Sequence, residues 1–424
     1  MASHGVPRTS APTERTPQAQ AAELQKIQEY KDLVELVNTK IRQREYTADT
    51  LALISKLLKR NPEYYSIWNH RRLVLQQLFS DAQQAAQIKQ PITSSNDTTS
   101  HPESTPDNAT TDAAPATHPT QYPASEQIEL LLISDLHFLV PLLREFPKCY
   151  WIWNHRQWLL QQATHLLPVP RVRRLWQEEL GLVAKMLSMD SRNFHGWGYR
   201  RRVVAELESP ELQGTSMAED EFSYTTKMIK TSLSNFSAWH YRSKLIPRLL
   251  NERGASREER RKFLDSEFNL IQNALWTDSA DQSLWFYHAF LMSELSTTPS
   301  TSSSSSSSSP STSSSSAIIP DLSPTERVAL LSRELDNIKE MLEDEDEDDT
   351  DTAPAERKYI YHALVQSTLE KQKWIRAVEA HAEPKAIADD KDEVQSWISK
   401  LRALDPFRMG RWDDVARQVD DLYA

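Results

Sequence analysis

Glycine is scarce, with seven in 424 residues. So few leave no glycine-rich phosphate loop and no dinucleotide-binding turn, and the G-x-S-x-G nucleophile elbow is also missing. One cysteine, Cys149, excludes an internal disulfide and any cysteine-built metal site, which fits a reducing compartment. No apolar run approaches the roughly 18 residues that cross a bilayer, and the polar N-terminus lacks the apolar segment of a signal peptide. A cytoplasmic location without membrane insertion is expected. Cations are outnumbered, 49 Lys and Arg against 60 Asp and Glu, for a net charge of -11. The stretch from Glu343 to Asp351 holds eight of those acids and no basic residue. That balance does not fit a nucleic-acid binder.

What is abundant is tryptophan, 12 residues in a chain only 39% hydrophobic. These numbers predict an aromatic-rich core diluted by low-complexity stretches. The tryptophans follow a frame: an aromatic three residues before, His or Tyr two after, Arg three after, and aliphatics six and seven after. Four copies keep all of it, with their tryptophans at Trp68, Trp153, Trp197 and Trp239. The second copy is the fullest: Tyr150, Trp153, His155, Arg156, Leu159 and Leu160. A fifth copy is worn, reading Trp285, Tyr287, His288, Leu291 and Met292, with Gln282 in place of the leading aromatic.

Each frame follows an amphipathic helical stretch and a short breaker. Thr47 to Lys59 carries Leu51, Ile54, Leu57 and Leu58 on one face and stops at Asn61-Pro62. The same order recurs over 128–143, 175–187, 222–233 and 263–275, so each unit is a helix, a turn and a second helix. From Trp153 onward the tryptophans fall 44, 42 and 46 residues apart, longer than the tetratricopeptide period. The expected fold is all-α, a right-handed alpha-alpha superhelix of helical hairpins with disordered inserts. Residues 1–20 read as a disordered arm and 21–295 as the repeat domain, with a Ser, Thr and Pro-rich insert at about 90–125. Residues 296–323, with eight consecutive serines from Ser302 to Ser309, read as a disordered linker. Residues 324–424 read as closing helices, interrupted by the acidic run 343–351.

The tryptophans are expected in the core. The arginines leave two readings open: Arg71, Arg156, Arg200 and Arg242 pair with groups of neighbouring hairpins, or they line a concave surface holding a partner or an anion. On the second reading Arg156, Arg200, Arg242, Tyr199, Tyr241 and His240 form a candidate partner interface. Histidines 70, 155, 195, 240 and 288 follow the repeat period and give no local ligand cluster, so no metal site is expected.

The five units resemble the repeats of protein prenyltransferase alpha subunits, over roughly 20–295 and the last helix pair. Arg192 to Arg201, Asn235 to Ser243, Asp281 to His288 and Leu401 to Arg408 are most similar to the branch that serves Rab geranylgeranylation. The resemblance implies a crescent of hairpins wrapped around a beta subunit that holds zinc, with no cofactor bound by this chain. It also implies transfer of geranylgeranyl from geranylgeranyl diphosphate to C-terminal cysteines of Rab GTPases presented by an escort protein. In the family segment P-K-x-Y-x-x-W the matching residues are Lys148 and Tyr150. Lys148 is thereby implied as an electrostatic donor to the leaving diphosphate, and Tyr150 as a lining or hydrogen-bonding group there. His195 is a weaker candidate for the same rim, since Phe194 replaces a tyrosine of the farnesyl relatives. His4, on the N-terminal arm, could reach the partner's zinc, although an exposed terminal histidine is the simpler reading. Two alternatives stand beside this: the alpha subunit shared by farnesyltransferase and type I geranylgeranyltransferase, and a non-catalytic helical-repeat adaptor.

Overall fold

The structure is a computed structural model and describes residues 16–87, 124–296, 317–347, 357–379 and 390–423. Among the described residues there is no strand. The chain divides into two compact units, 1–215 and 216–424.

The first unit opens with α1 (Pro17–Arg42), followed by the hairpins α2 (Ala48–Arg60) with α3 (Tyr65–Gln87), α4 (Ala124–Glu145) with α5 (Tyr150–Leu166), and α6 (Val169–Met189) with α7 (Phe194–Leu207). The second holds α8 (Ala218–Thr231) with α9 (Phe236–Glu252), α10 (Arg257–Thr277) with α11 (Gln282–Ser296), α12 (Pro324–Glu347) with α13 (Lys358–Glu379), and α14 (Asp390–Leu404) with α15 (Met409–Tyr423). The hairpin order is as the periodicity predicts. Helix α2 shows why: the Thr47 hydroxyl caps it by accepting from Thr50 N, and its apolar stripe buries Ile54, Leu57 and Leu58 completely.

Two boundaries differ from expectation. Helix α1 starts at Pro17, inside the stretch read as a disordered arm, because Thr16 accepts from Ala19 N and proline suits the first helical turn. Its first turns are exposed all round, so no apolar pattern marks them. Residues 317–323 were expected to belong to the linker, yet Ile318 and Ile319 are buried. Ile318 N donates to Glu294 at 2.8 Å, and its carbonyl accepts from Arg260 at 3.1 Å. Two adjacent isoleucines with a satisfied backbone are enough to seat that turn. The insert, apart from residues 124 and 125 at the start of α4, lies outside the described residues, as do the serines 302–309, the end of the acidic run and His4.

Tryptophan does more than fill the core. Each frame indole N–H donates to the carbonyl six residues back, in the turn between the two helices: Trp68 to Pro62 (2.8 Å), Trp153 to Pro147 (2.9 Å), Trp197 to Ser191 (2.8 Å), Trp239 to Leu233 (2.8 Å) and Trp285 to Ser279 (2.6 Å). One side chain therefore buries a large apolar ring and satisfies a turn carbonyl that helix bonding leaves open. The worn copy keeps this bond; of its departures Gln282 is exposed and His288 is buried.

Candidate functional site

Successive hairpins are joined by a repeated buried cluster of three groups. Arg156 on α5 forks onto Glu179 of α6 at 2.7 and 2.6 Å, and Tyr199 of α7 donates its hydroxyl to the same carboxylate at 2.8 Å. Arg71 on α3 and His155 on α5 meet Asp135 of α4, His155 Nε2 at 2.8 Å. In the second unit Arg242 of α9 forks onto Glu267 of α10 at 2.7 and 2.6 Å, and Tyr287 of α11 donates to it at 2.5 Å. The His or Tyr ring also packs on the preceding tryptophan, with centroids at 5.1 Å for Trp68 and His155, 5.1 Å for Trp153 and Tyr199, and 4.7 Å for Trp239 and Tyr287. Where the fifth frame has His288 instead of arginine, Glu334 of α12 is held by the Gln272 amide at 2.9 and 2.8 Å, and burial raises its carboxyl. The acid is absent from the sequence reading, although it stands twenty residues before the His or Tyr it meets in each of the three clusters.

This geometry corrects the partner-interface expectation. Arg156, Arg200, Arg242, Tyr199 and Tyr241 are all buried. Arg156 and Arg242 face acids of the next hairpin, because a guanidinium taken out of water needs a carboxylate fork, and Tyr199 donates to the acid of its own hairpin. Only His240 of that set is exposed, with its ring stacked on Phe236 at 5.8 Å.

The buried clusters predict a two-stage pH response. Burial holds His155 and His288 at about 4, whereas an unfolded imidazole titrates near 6.5. Lowering the pH below about 6.5 therefore protonates the unfolded chain first, and stability is lost down to about 4. Burial pushes the Asp135 carboxyl up, but Arg71 and His155 outweigh it and hold it at about 2. Its contribution is present above the unfolded value of about 3.9 and is lost between there and about 2. The Tm measured from pH 8 to pH 3 should fall first below about 6.5 and again below about 4; a flat profile between pH 7 and 4.5 would contradict the neutral buried imidazoles.

Above the buried clusters lies the exposed rim. The leading aromatics Tyr65, Tyr150 and Phe194 are 59, 53 and 66% exposed at the starts of α3, α5 and α7. Tyr65 meets Trp151 at 5.6 Å, Trp151 meets Tyr150 at 5.3 Å, Tyr150 meets His195 at 6.3 Å, and His195 meets Phe194 at 4.0 Å. Lys148 stands in the turn before α5, with its ammonium 3.7 Å from Asp190 in the turn before α7. Partial burial lowers the His195 imidazole, with Glu63 opposing and the Lys148 cation adding to the shift. The structure thus brings Lys148, Tyr150 and His195 onto one surface. Trp151, Tyr65 and Glu63 belong to that surface and were missed, because Trp151 has no counterpart in the other frames. Directly beneath, burial drives the Cys149 thiol up to about 11, and its sulfur lies 3.6 Å from the Pro62 carbonyl, so it is a packed group and no nucleophile.

Chemically the rim offers a positive charge and a phenol beside an aromatic strip. That suits an anionic group attached to an apolar chain. Among the described residues no group of three His, Cys, Asp or Glu side chains could hold a metal ion, and no helix is long and apolar enough to cross a membrane.

Comparison with known proteins matches four segments, 48–78, 134–163, 176–207 and 218–249, to the protein prenyltransferase alpha subunit repeat. The chain is similar to the geranylgeranyl transferase type-2 subunit alpha of Saccharomyces cerevisiae, 32% identical over 67% of this chain and 70% of that protein. It is similar along 99% of both chains to the protein so named in Schizosaccharomyces pombe, at 30% identity. The human protein of that name is 32% identical over 65% of this chain, which covers 40% of its length.

Proposed function

Because this chain belongs to the protein prenyltransferase alpha subunit family, we propose that it is the alpha subunit of a type-2 geranylgeranyl transferase, active in the cytoplasm with a beta subunit. The substrates are geranylgeranyl diphosphate and the C-terminal cysteines of Rab GTPases carried by an escort protein. The observation that carries this reading is the exposed Lys148–Tyr150 turn, with His195 beside it. The apolar strip of Tyr65, Trp151 and Phe194 adjoins it.

In the transfer a bond forms between the cysteine sulfur and the first carbon of the lipid as the bond from that carbon to the diphosphate oxygen breaks. The thiol proton is lost and diphosphate leaves. Zinc held by the beta subunit supplies activation of the thiol. Lys148 places a compact cation where negative charge grows on the departing diphosphate, and the Tyr150 hydroxyl is a neutral donor at the same opening. His195, kept neutral at physiological pH by partial burial, adds hydrogen-bonding capacity without a second full charge.

The test is coexpression with candidate beta subunits, followed by metal analysis and a lipid-transfer assay. The proposal expects a zinc-containing heterodimer that modifies an escorted Rab. Transfer to a short C-terminal tetrapeptide without escort protein would assign the chain to the other prenyltransferase class, and recovery as an active single chain would refute the subunit role.

A further inference from the structure

In the second unit two adjoining cavities, of about 290 and 260 Å³, share Trp285, Ala289, Tyr359 and His362. Together they form a groove between α11 and α13. Lys358, His362, Gln366 and Glu370 line it at four-residue spacing and so lie on one face of α13. Their span is about 18 Å at 1.5 Å per residue, the length of five or six extended residues.

The ends of the groove carry opposite charge. Lys358, Arg408 and Arg411 line only the cavity at the start of α13, and Glu370 lines only the other. Arg408 has Asp405 at 3.6 Å. Arg411 bonds only the His362 imidazole, at 3.0 Å, and Lys358 lies 5.1 Å from the Tyr359 ring, so neither has a carboxylate partner among the described residues. Burial, then the Arg411 and Arg408 cations, hold His362 at about 4, and it accepts Arg411 as a neutral ring. In a chain of net charge -11, two cations at one groove end without a carboxylate partner among the described residues suit an anion. His288 lines the wider cavity and is 2% exposed, with its Nε2 turned toward the buried Glu334 at 3.9 Å.

We propose that this groove receives the last residues of a partner polypeptide, with its free carboxylate among Lys358, Arg408 and Arg411 and its apolar side chains over Ala289, Met292 and Ala363. A chain end fits better than an internal acidic residue because Asp405, Arg408, Arg411 and Trp412 stand around the cationic cavity and none of them lines the other. A free terminus brings two carboxylate oxygens and an apolar side chain from one residue, and the small side chains of Ala289 and Ala363 leave room for its backbone. This site is independent of the lipid-transfer reading.

The probe is a set of N-terminally fluorescein-labelled hexapeptides, varied over the last four positions and made both as free acids and as C-terminal amides. Binding to the full-length protein is read by fluorescence anisotropy. Free acids ending in Phe or Leu are expected to bind, and amidation to weaken them by about tenfold or more. Arg411→Glu and, separately, Lys358→Glu should abolish binding while the helical circular dichroism and Tm stay those of the parent. Equal binding of acid and amide, binding of internal acidic hexapeptides as tight as that of free ends, no saturation by about 1 mM, or full binding by both charge-reversal variants would overturn the proposal.

Discussion

Lys148→Ala lowers turnover by about 10²-fold, the scale of one lost donor to a developing oxyanion, and leaves heterodimer assembly intact. The separation follows from how the turn is built. Cys149 N bonds the Phe146 carbonyl at 3.0 Å, and the Pro147 carbonyl accepts from both the Trp153 indole and the Asn193 amide, each at 2.9 Å. None of those bonds uses the lysine side chain. Its side chain is 41% exposed and faces Asp190, an exposed pair that contributes little to stability. Lys148→Arg should recover part of the rate, since the charge survives while the compact geometry does not. Single-turnover transfer at saturating lipid and acceptor gives the rate, and gel filtration gives assembly. Single-turnover rates equal to those of the parent would remove Lys148 from the chemistry.

The largest stability effect belongs to a buried cluster. Arg156→Ala strands Glu179, which is 3% exposed, with only the Tyr199 hydroxyl and no cation. Breaking such a pair from one side costs about 3–5 kcal/mol, on the order of 10 °C in Tm for a unit of this size. The doubly substituted Arg156→Met, Glu179→Leu chain should regain much of the loss, because two apolar side chains leave no stranded charge. Urea denaturation of the single and double variants measures both. A loss below about 1 kcal/mol for Arg156→Ala would mean that water reaches the cluster, as at surface pairs.

The frame made the hairpins legible because the tryptophan, its leading aromatic and its trailing aliphatics recur at one spacing. Lys148, Tyr150 and His195 were legible only through family resemblance. As bare residues they are a turn lysine, a repeat aromatic and a histidine of the array. The frame arginines were readable as needing partners, but their partners were not. Asp135, Glu179 and Glu267 sit on the helix that follows the arginine's own, where a lone acid within an amphipathic pattern looks like any solvated position. A repeat count that includes the offset from acid to tryptophan would expose them. Nothing in periodicity could mark residues 317–323 as packed, since two isoleucines make no period. The groove between α11 and α13 needed coordinates, because Lys358, Arg408 and Arg411 come from separated segments.

The cluster of Arg71, Asp135 and His155 has a consequence for the history of the chain. It fastens α3 to the next hairpin directly, side chain to side chain, so the polypeptide running from 88 to 123 is not the tie between them. Closing a longer connection costs only the logarithm of its length. Selection can therefore lengthen, shorten or rewrite that connection freely, provided the arginine on one bank and the aspartate on the other are kept.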